Sequence, residues 1–240
     1  MTSKDNRPTT IMVVGGGKGT FGEHIASALH HQIDREQDAG DVTNWEVVSA
    51  GVHAEAERAY DVTWALAQHQ GVMQDVRPYH VVYAAGVNIT DEDGALHLSA
   101  SAQLDINALA FLQVAEAFQR VACPGSQLVA ISSNSAHIPR SPSLGYCMSK
   151  AALSMAVQVL ARRWRGEPMV YAYEPGLMNT QATIDSVNRG AYKGAAHRMP
   201  GVSSAYGLSA QHVAAMVAKN LLWGGMHLNG ALLRVDAGEL

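Results

Sequence analysis

Residues 11–22 read IMVVGGGKGTFG: a run of four apolar residues passes directly into a glycine-rich turn, and a helical pattern follows at Phe21. Few folds use that arrangement. A buried strand must end where its backbone needs unusual freedom, and a helix must start within a few residues of it. Gly17-x-Gly19-x-x-Gly22 is a literal GxGxxG in this position. Glycines let the backbone turn tightly and approach a pyrophosphate, and the helix N-terminus adds unpaired N–H groups and a partial positive charge. A Walker phosphate loop is excluded, because Lys18 is followed by Gly19 and not by Ser or Thr.

The rest of the chain repeats the strand-then-helix alternation. Strands are expected at Thr10–Val14, Trp45–Ala50, a short stretch ending near Tyr60, His80–Ala84, Gln127–Ser132, Met169–Tyr173 and Ala231–Val235. Helices are expected at about Phe21–Gln37, Thr63–Asp75, Ser101–Val121, Ser149–Arg165 and Ser209–Trp223. Seven strands with crossovers of helical length predict an α/β fold. It is a doubly wound, Rossmann-type parallel sheet with helices on both faces. Only ten residues separate Ala50 from Asp61, so the helix between the second and third strands should be abbreviated or missing. With no linker or repeat in 240 residues, we expect one domain over 1–240. Residues 1–8 should form a loose tail, and 176–206 a lid loop over the substrate.

Composition narrows the partners. Hydrophobic residues make up 48% and charged residues 16%, which is globular rather than disordered. The net charge of −4, with no long basic run, argues against nucleic acid or an anionic membrane. The first apolar run is too short for a signal core or a membrane span, so the expected location is cytoplasmic. Cys123 and Cys147 form no CxxC and read as free thiols in a reducing compartment. The eleven histidines include no HExxH, and no metal site is expected. Nicotinamide enzymes that use NAD place an acid near the end of the second strand. Here Val48-Ser49-Ala50-Gly51-Val52-His53 has none before Glu55, and Lys18 stands in the glycine loop where a 2′-phosphate would lie. NADP(H) is therefore favoured over NAD(H), with Ser49 at the strand end among its contacts.

Residues 128–150 read LVAISSNSAHIPRSPSLGYCMSK. Tyr146-x-x-x-Lys150, with Ser133 thirteen residues before the tyrosine at a strand end, resembles the active-site signature of the short-chain dehydrogenase/reductase family. The resemblance covers nearly the whole chain. Gly16, Gly19 and Gly22 make a GxxGxxG variant of the family's TGxxxGxG, with Lys18 and Phe21 beside them. Asp61-Val62 resembles the adenine-contacting acid. Ala84-Ala85-Gly86 stands where NAG is usual, with Ala84 in place of the asparagine. Asn107 in LDINALAF matches the helix asparagine, Pro175-Gly176 with Thr180 the PG motif beside the nicotinamide, and Val235-Asp236-Ala237-Gly238 the terminal VDGG.

The chemistry that the resemblance implies has a physical basis. Residues 146 and 150 are four apart and share a helix face. A tyrosine with an ordinary pKa of about 10 exchanges its proton reluctantly near neutrality, and a nearby ammonium favours the phenolate. Tyr146 would protonate the developing alkoxide in reduction, or deprotonate an alcohol in oxidation. Ser133 would hydrogen-bond the substrate oxygen. By resemblance, Lys150 also holds the nicotinamide ribose, and Asn107 orders a water that relays protons to Lys150. His137, Ile138 and Met178 would line the substrate pocket. Arg189, Lys193, His197 and Arg198 in the lid would meet a carboxylate or phosphate, or simply be solvated. The expected activity is hydride transfer between nicotinamide and a small-molecule carbonyl or secondary alcohol. An epimerase or dehydratase usually needs a longer C-terminal substrate domain, whereas only about 65 residues follow Pro175. A non-catalytic regulator typically lacks the Tyr or Lys that this chain retains. Ser-His-Asp hydrolysis is disfavoured, since Ser133 lacks a GxSxG elbow. The resemblance also implies a homodimer or homotetramer, built on the helices that carry Asn107 and Tyr146.

Overall fold

The computed structural model describes residues 9–15, 20–38, 45–50, 80–89, 96–140, 143–181, 183, 208–223 and 227–236. Six parallel strands run through them: β1 (Thr9–Val14), β2 (Trp45–Ala50), β3 (His80–Tyr83), β4 (Gln127–Ile131), β5 (Met169–Pro175) and β6 (Leu232–Val235). They form one sheet in the order β2-β1-β3-β4-β5-β6. Direction of travel reverses at β1. Val14 stands opposite Ala50 on one side and Tyr83 on the other, so the crevice at the strand ends opens between β1 and β3. This is the doubly wound sheet that the alternation predicts. The expected strand near Tyr60, the shortened helix before it and the helix at Thr63–Asp75 lie outside the described residues. So do the N-terminal tail and lid positions 182 and 184–206.

Parallel strands are buried on both faces, which is why β1, β3 and β4 read as apolar runs after polar first residues. Two apolar clusters result. One holds Met12, Val14, Val81, Leu128, Val170 and Ala172 against α3 (Ala110–Val121) and α4 (Leu144–Trp164). The other holds Ile11, Val13, Val82, Val129 and Tyr171 against α1 (Phe21–Asp38) and α5 (Ala210–Leu222).

Two helix starts differ from expectation. The helix expected from Ser101 begins at Leu96 as α2 (Leu96–Leu104), passes through a π turn at Asp105–Leu109, and continues as α3. Its first turns escape a periodicity argument because Leu96 and Leu98 are exposed while polar Gln103 is buried. The helix expected from Ser149 begins at Leu144. Gly145 conceals that start, since glycine is a poor helix former. Packing demands it: a Cβ there would sit 2.6 Å from Gln103 Nε2 and 2.8 Å from Ala100 Cα, so the first turn of α4 lies directly on α2. Tyr146 is thereby placed in regular helix. The helix ends at Arg165 in the left-handed region (φ 56°), followed by Gly166 at φ 88°. By length and composition α4 is apolar enough to cross a membrane, but here it lies against the sheet with Ser149, Lys150 and Ser154 buried beneath it.

Candidate active site

The carboxyl ends of β1, β3, β4 and β5 converge on one edge of the sheet. At β1 the chain turns through Gly15, whose φ of +86° a side chain rarely adopts. Its backbone lies so close to the segment after β3 that an added Cβ would fall 2.6 Å from Ala85 N. Thr20 then caps α1: its hydroxyl donates to the Gly15 carbonyl (2.7 Å) and accepts from the Glu23 N–H (3.3 Å). Thr-x-x-Glu is a capping-box sequence, which sets the helix start next to the glycine turn. Phe21 and Gly22, two expected cofactor contacts, are the buried first residues of α1. Ser49 is exposed near the end of β2. Gly16, Lys18, Gly19, Asp61 and Val62 lie outside the described residues.

Asn107 is fully buried in the π turn. Its Oδ1 accepts from Val87 N (2.8 Å), and its Nδ2 donates to Val87 O (2.9 Å) and Ser149 Oγ (2.8 Å). One turn earlier, Gln103 holds Ile89 in the same two-handed way, at 3.0 and 3.1 Å. The two amides, four residues apart on one helix face, stitch the segment after β3 to α2 and the π turn. Tyr83 donates to the Ile106 carbonyl at 2.5 Å and pins the turn from the sheet side. Burial pushes the Tyr83 hydroxyl well above its usual range, so it stays a donor.

Lys150 lies 4% exposed on α4. Its Nζ donates to the Ile131 carbonyl (2.8 Å) and stands 5.7 Å from the centre of the Tyr146 ring. A Cβ on Gly86 would come 3.3 Å from Lys150 Nζ and 3.3 Å from Asn107 Oδ1, so all three residues meet at one point. Burial lowers the Lys150 amine from 10.5 to about 8. The structure thus brings Asn107, Tyr146, Lys150 and Gly86 together. Ser133 sits at the end of β4, where its hydroxyl accepts from Ser135 N (3.1 Å) and lies 3.5 Å from the Pro175 carbonyl. Its neighbour Ser132 donates to the Lys150 carbonyl at 3.2 Å, which joins the serine strand to the lysine helix.

Ala84 ties the β3 end to β1 through its N–H on Val14 O (2.8 Å), and Ala85 is buried against Gly15. Pro175 ends β5, and the Gly176 N–H bonds the Val235 carbonyl at 2.8 Å. Thr180 is buried, its hydroxyl 3.1 Å from that of Thr183. Of the three residues expected to line the pocket, His137 is half-exposed at the end of the Ser133 turn, Ile138 follows it with its N–H on the Asn134 carbonyl, and Met178 pairs with Leu208 and packs on the α1/α5 cluster. Sequence reasoning missed Gln103, Ser149 and Glu174. Glu174 is 0% exposed, and its signal was a lone acid in the apolar strand MVYAYEP.

An ammonium has three hydrogens to donate. Lys150 gives one to Ile131, and among the described residues nothing accepts the other two. A buried cation with donors left over, beside a glycine where an added Cβ would crowd it, suits a diol such as the ribose of a nicotinamide cofactor. The residues present fit that group.

A family model described as enoyl-(acyl carrier protein) reductase matches residues 22–238. Solved structures match over nearly the whole chain. A short-chain dehydrogenase/reductase from Serratia marcescens is 22% identical with a TM-score of 0.73, covering 96% of this chain and 97% of that one. A short-chain dehydrogenase from Burkholderia cenocepacia in complex with NADP is 23% identical (TM-score 0.72; 96% and 97% covered). A 3-oxoacyl-[acyl-carrier protein] reductase from Brucella melitensis in complex with NAD is 20% identical (TM-score 0.70; 97% of each chain). No curated protein matches this chain.

Proposed function

Because this chain belongs to the short-chain dehydrogenase/reductase family, we propose that it transfers a hydride between NADP(H) and a small-molecule carbonyl or secondary alcohol, with Tyr146 as the acid/base. The observation that carries the reading is the buried Lys150 ammonium beside Tyr146 and Gly86, with two hydrogens unclaimed among the described residues.

Nicotinamide, when bound, supplies or accepts the hydride. The chain's own residues do the rest. Lys150 would hold the ribose hydroxyls with its remaining N–H groups, and it keeps a positive charge near the Tyr146 ring. Tyr146 gives its phenolic proton to the carbonyl oxygen during reduction and takes it back in the reverse direction. Ser133 donates to the same oxygen and stabilises its developing charge. Asn107 holds Val87, and with it the Gly86 floor under Lys150. Its side-chain hydrogens already go to Val87 and Ser149, so any water it orders toward Lys150 must use its remaining lone pair or the backbone of the π turn. Gly22 and Phe21 at the α1 start lie where a pyrophosphate would meet the helix dipole. The preference for NADP(H) rests on Lys18 and on the missing acid after β2; relatives bind both forms.

We read the outer face of α4 as an assembly surface. Met148, Ala152, Met155 and Val159 share one helix face and are exposed, and Leu109 and Leu112 are exposed nearby in sequence to Asn107. An apolar stripe of that size suits a second copy of the chain.

The test is titration with NADPH and NADH, followed by a panel of ketones, aldehydes and alcohols read at the nicotinamide absorbance. Tighter binding of NADPH with substrate-dependent oxidation supports the reading. Binding with no turnover across the panel refutes the dehydrogenase, and failure to bind either nucleotide refutes the site.

A further inference from the structure

Glu174 stands on the inner face of β5 after Val170 and Ala172, both members of the apolar cluster beneath α4. Burying a carboxylate costs several kcal/mol unless it is hydrogen-bonded, and a hydrocarbon of the same size usually stabilises as well or better. Its retention here points to a task other than packing. Among the described residues, two side chains bond it. Ser154 donates to Oε1 from α4 at 2.6 Å, and His137 Nε2 lies 3.0 and 3.1 Å from its two oxygens. With its one hydrogen on Glu174, Ser154 accepts from Ser132 Oγ at 2.7 Å, a hydrogen that Ser132 shares with the Lys150 carbonyl at 3.2 Å. One carboxylate therefore ties together the strand end at Pro175, the turn that carries Ser133 and the helix that carries Lys150.

The imidazole is the part of this cluster that reaches solvent. Ser133 opens the short 3-10 turn Asn134–Ala136 and His137 closes it, so the two side chains are one turn apart. The His137 side chain is 48% exposed and that of Glu174 1%. A carboxylate only accepts, so Nε2 carries the hydrogen between them. Whenever the ring is neutral, Nδ1 is then its accepting edge. It has no partner among the described residues.

We propose that His137, oriented by Glu174, reads the substrate: its Nδ1 accepts a hydrogen bond from a hydroxyl borne next to the reacting carbonyl, so that hydroxyketones are preferred over alkyl ketones of the same shape. This rests on the dehydrogenase reading above and adds a substrate class to it. His137 selects, Glu174 positions, and no proton passes through either.

The experiment compares kcat/KM for hydroxyacetone and 2-butanone, which differ by a hydroxyl in place of a methyl, in the wild type and His137→Leu. The hydroxyacetone-to-butanone ratio should fall about tenfold in the variant, the worth of one hydrogen bond at ~1.4 kcal/mol. Imidazole 15N spectra of the wild type and Glu174→Gln provide a readout free of turnover. His137 should be Nε2-protonated with a bare Nδ1 in the wild type, and that preference should be lost in Glu174→Gln. Reduction of both ketones with an unchanged ratio, or an Nδ1-protonated ring in the wild type, overturns the inference alone. Reduction of neither ketone by wild-type enzyme that turns over other members of the carbonyl panel also overturns the inference alone, whereas nucleotide binding with no turnover across the whole panel overturns the dehydrogenase reading and this one with it.

Discussion

Replacing Lys150 by methionine should abolish turnover and yet stabilise the fold. The amine sits at about 8 in the folded protein, against 10.5 as its ordinary value, because burial disfavours its charge. The folded-state value is the lower one, so between the two the unfolded chain binds more protons. Stability contributed by this group therefore rises with pH from about 8 to about 10.5, and the penalty is fully present below 8. At about 1.4 kcal/mol per pH unit it comes to about 3 kcal/mol at neutrality. Methionine fills a similar volume without the charge but leaves the Ile131 carbonyl without its Nζ donor, a loss of about 1–2 kcal/mol. The net gain is about 1–2 kcal/mol, or a rise in Tm of roughly 3–6 °C for a chain of this size. Thermal unfolding of both proteins without nucleotide, followed by circular dichroism from pH 6.5 to 9.5, checks it. The gap should be widest at pH 6.5–7.5 and narrow as pH climbs past 8. A variant less stable than the wild type at pH 7, or a gap that does not move with pH, would refute the reasoning.

Two further substitutions probe the scaffold. Gly15→Ala forces an L side chain into φ +86° and drives its Cβ to 2.6 Å from the Ala85 backbone. A loss of at least about 3 kcal/mol in denaturant unfolding is expected, and a loss under about 1 kcal/mol would show that the turn relaxes freely. Met155→Glu places a charge in the exposed apolar stripe of α4 and should convert a dimer or tetramer to smaller species in sedimentation velocity, with the fold intact by circular dichroism. Wild type that sediments as a monomer would remove the assembly surface from the account.

The sheet was legible because parallel strands advertise themselves. Ile11–Val14, Val81–Tyr83 and Leu128–Ile131 are apolar on both faces and end near the glycines or serines that the crevice requires. Tyr146, Lys150, Ser133 and Asn107 stood out by their spacing; in the structure Lys150 lies over the Tyr146 ring, Asn107 reaches the same helix through Ser149, and Ser132 links the end of β4 to Lys150. Helix starts were harder. Gly145 lowers the helix signal at the point where close packing on Ala100 demands it, and exposed Leu96 and Leu98 break the periodicity of α2. Nothing local announces the π turn. Its carbonyl at Ile106 is met by the hydroxyl of Tyr83, 23 positions earlier, a contact only the fold supplies. Glu174 was readable as an acid out of pattern, but its partners His137 and Ser154 are 37 and 20 residues away, and only the fold brings them to it.

The central claim is that Tyr146 is the acid/base of a hydride-transfer site. Tyr146→Phe removes only the phenolic oxygen from a half-buried ring in regular helix. Single-turnover oxidation of NADPH by a substrate of the wild-type enzyme, with the nucleotide Kd measured alongside, tests it most directly. The account predicts a Kd within about threefold of wild type and a rate lower by a factor on the order of 100 or more. A rate near wild type, with nucleotide bound, would contradict it.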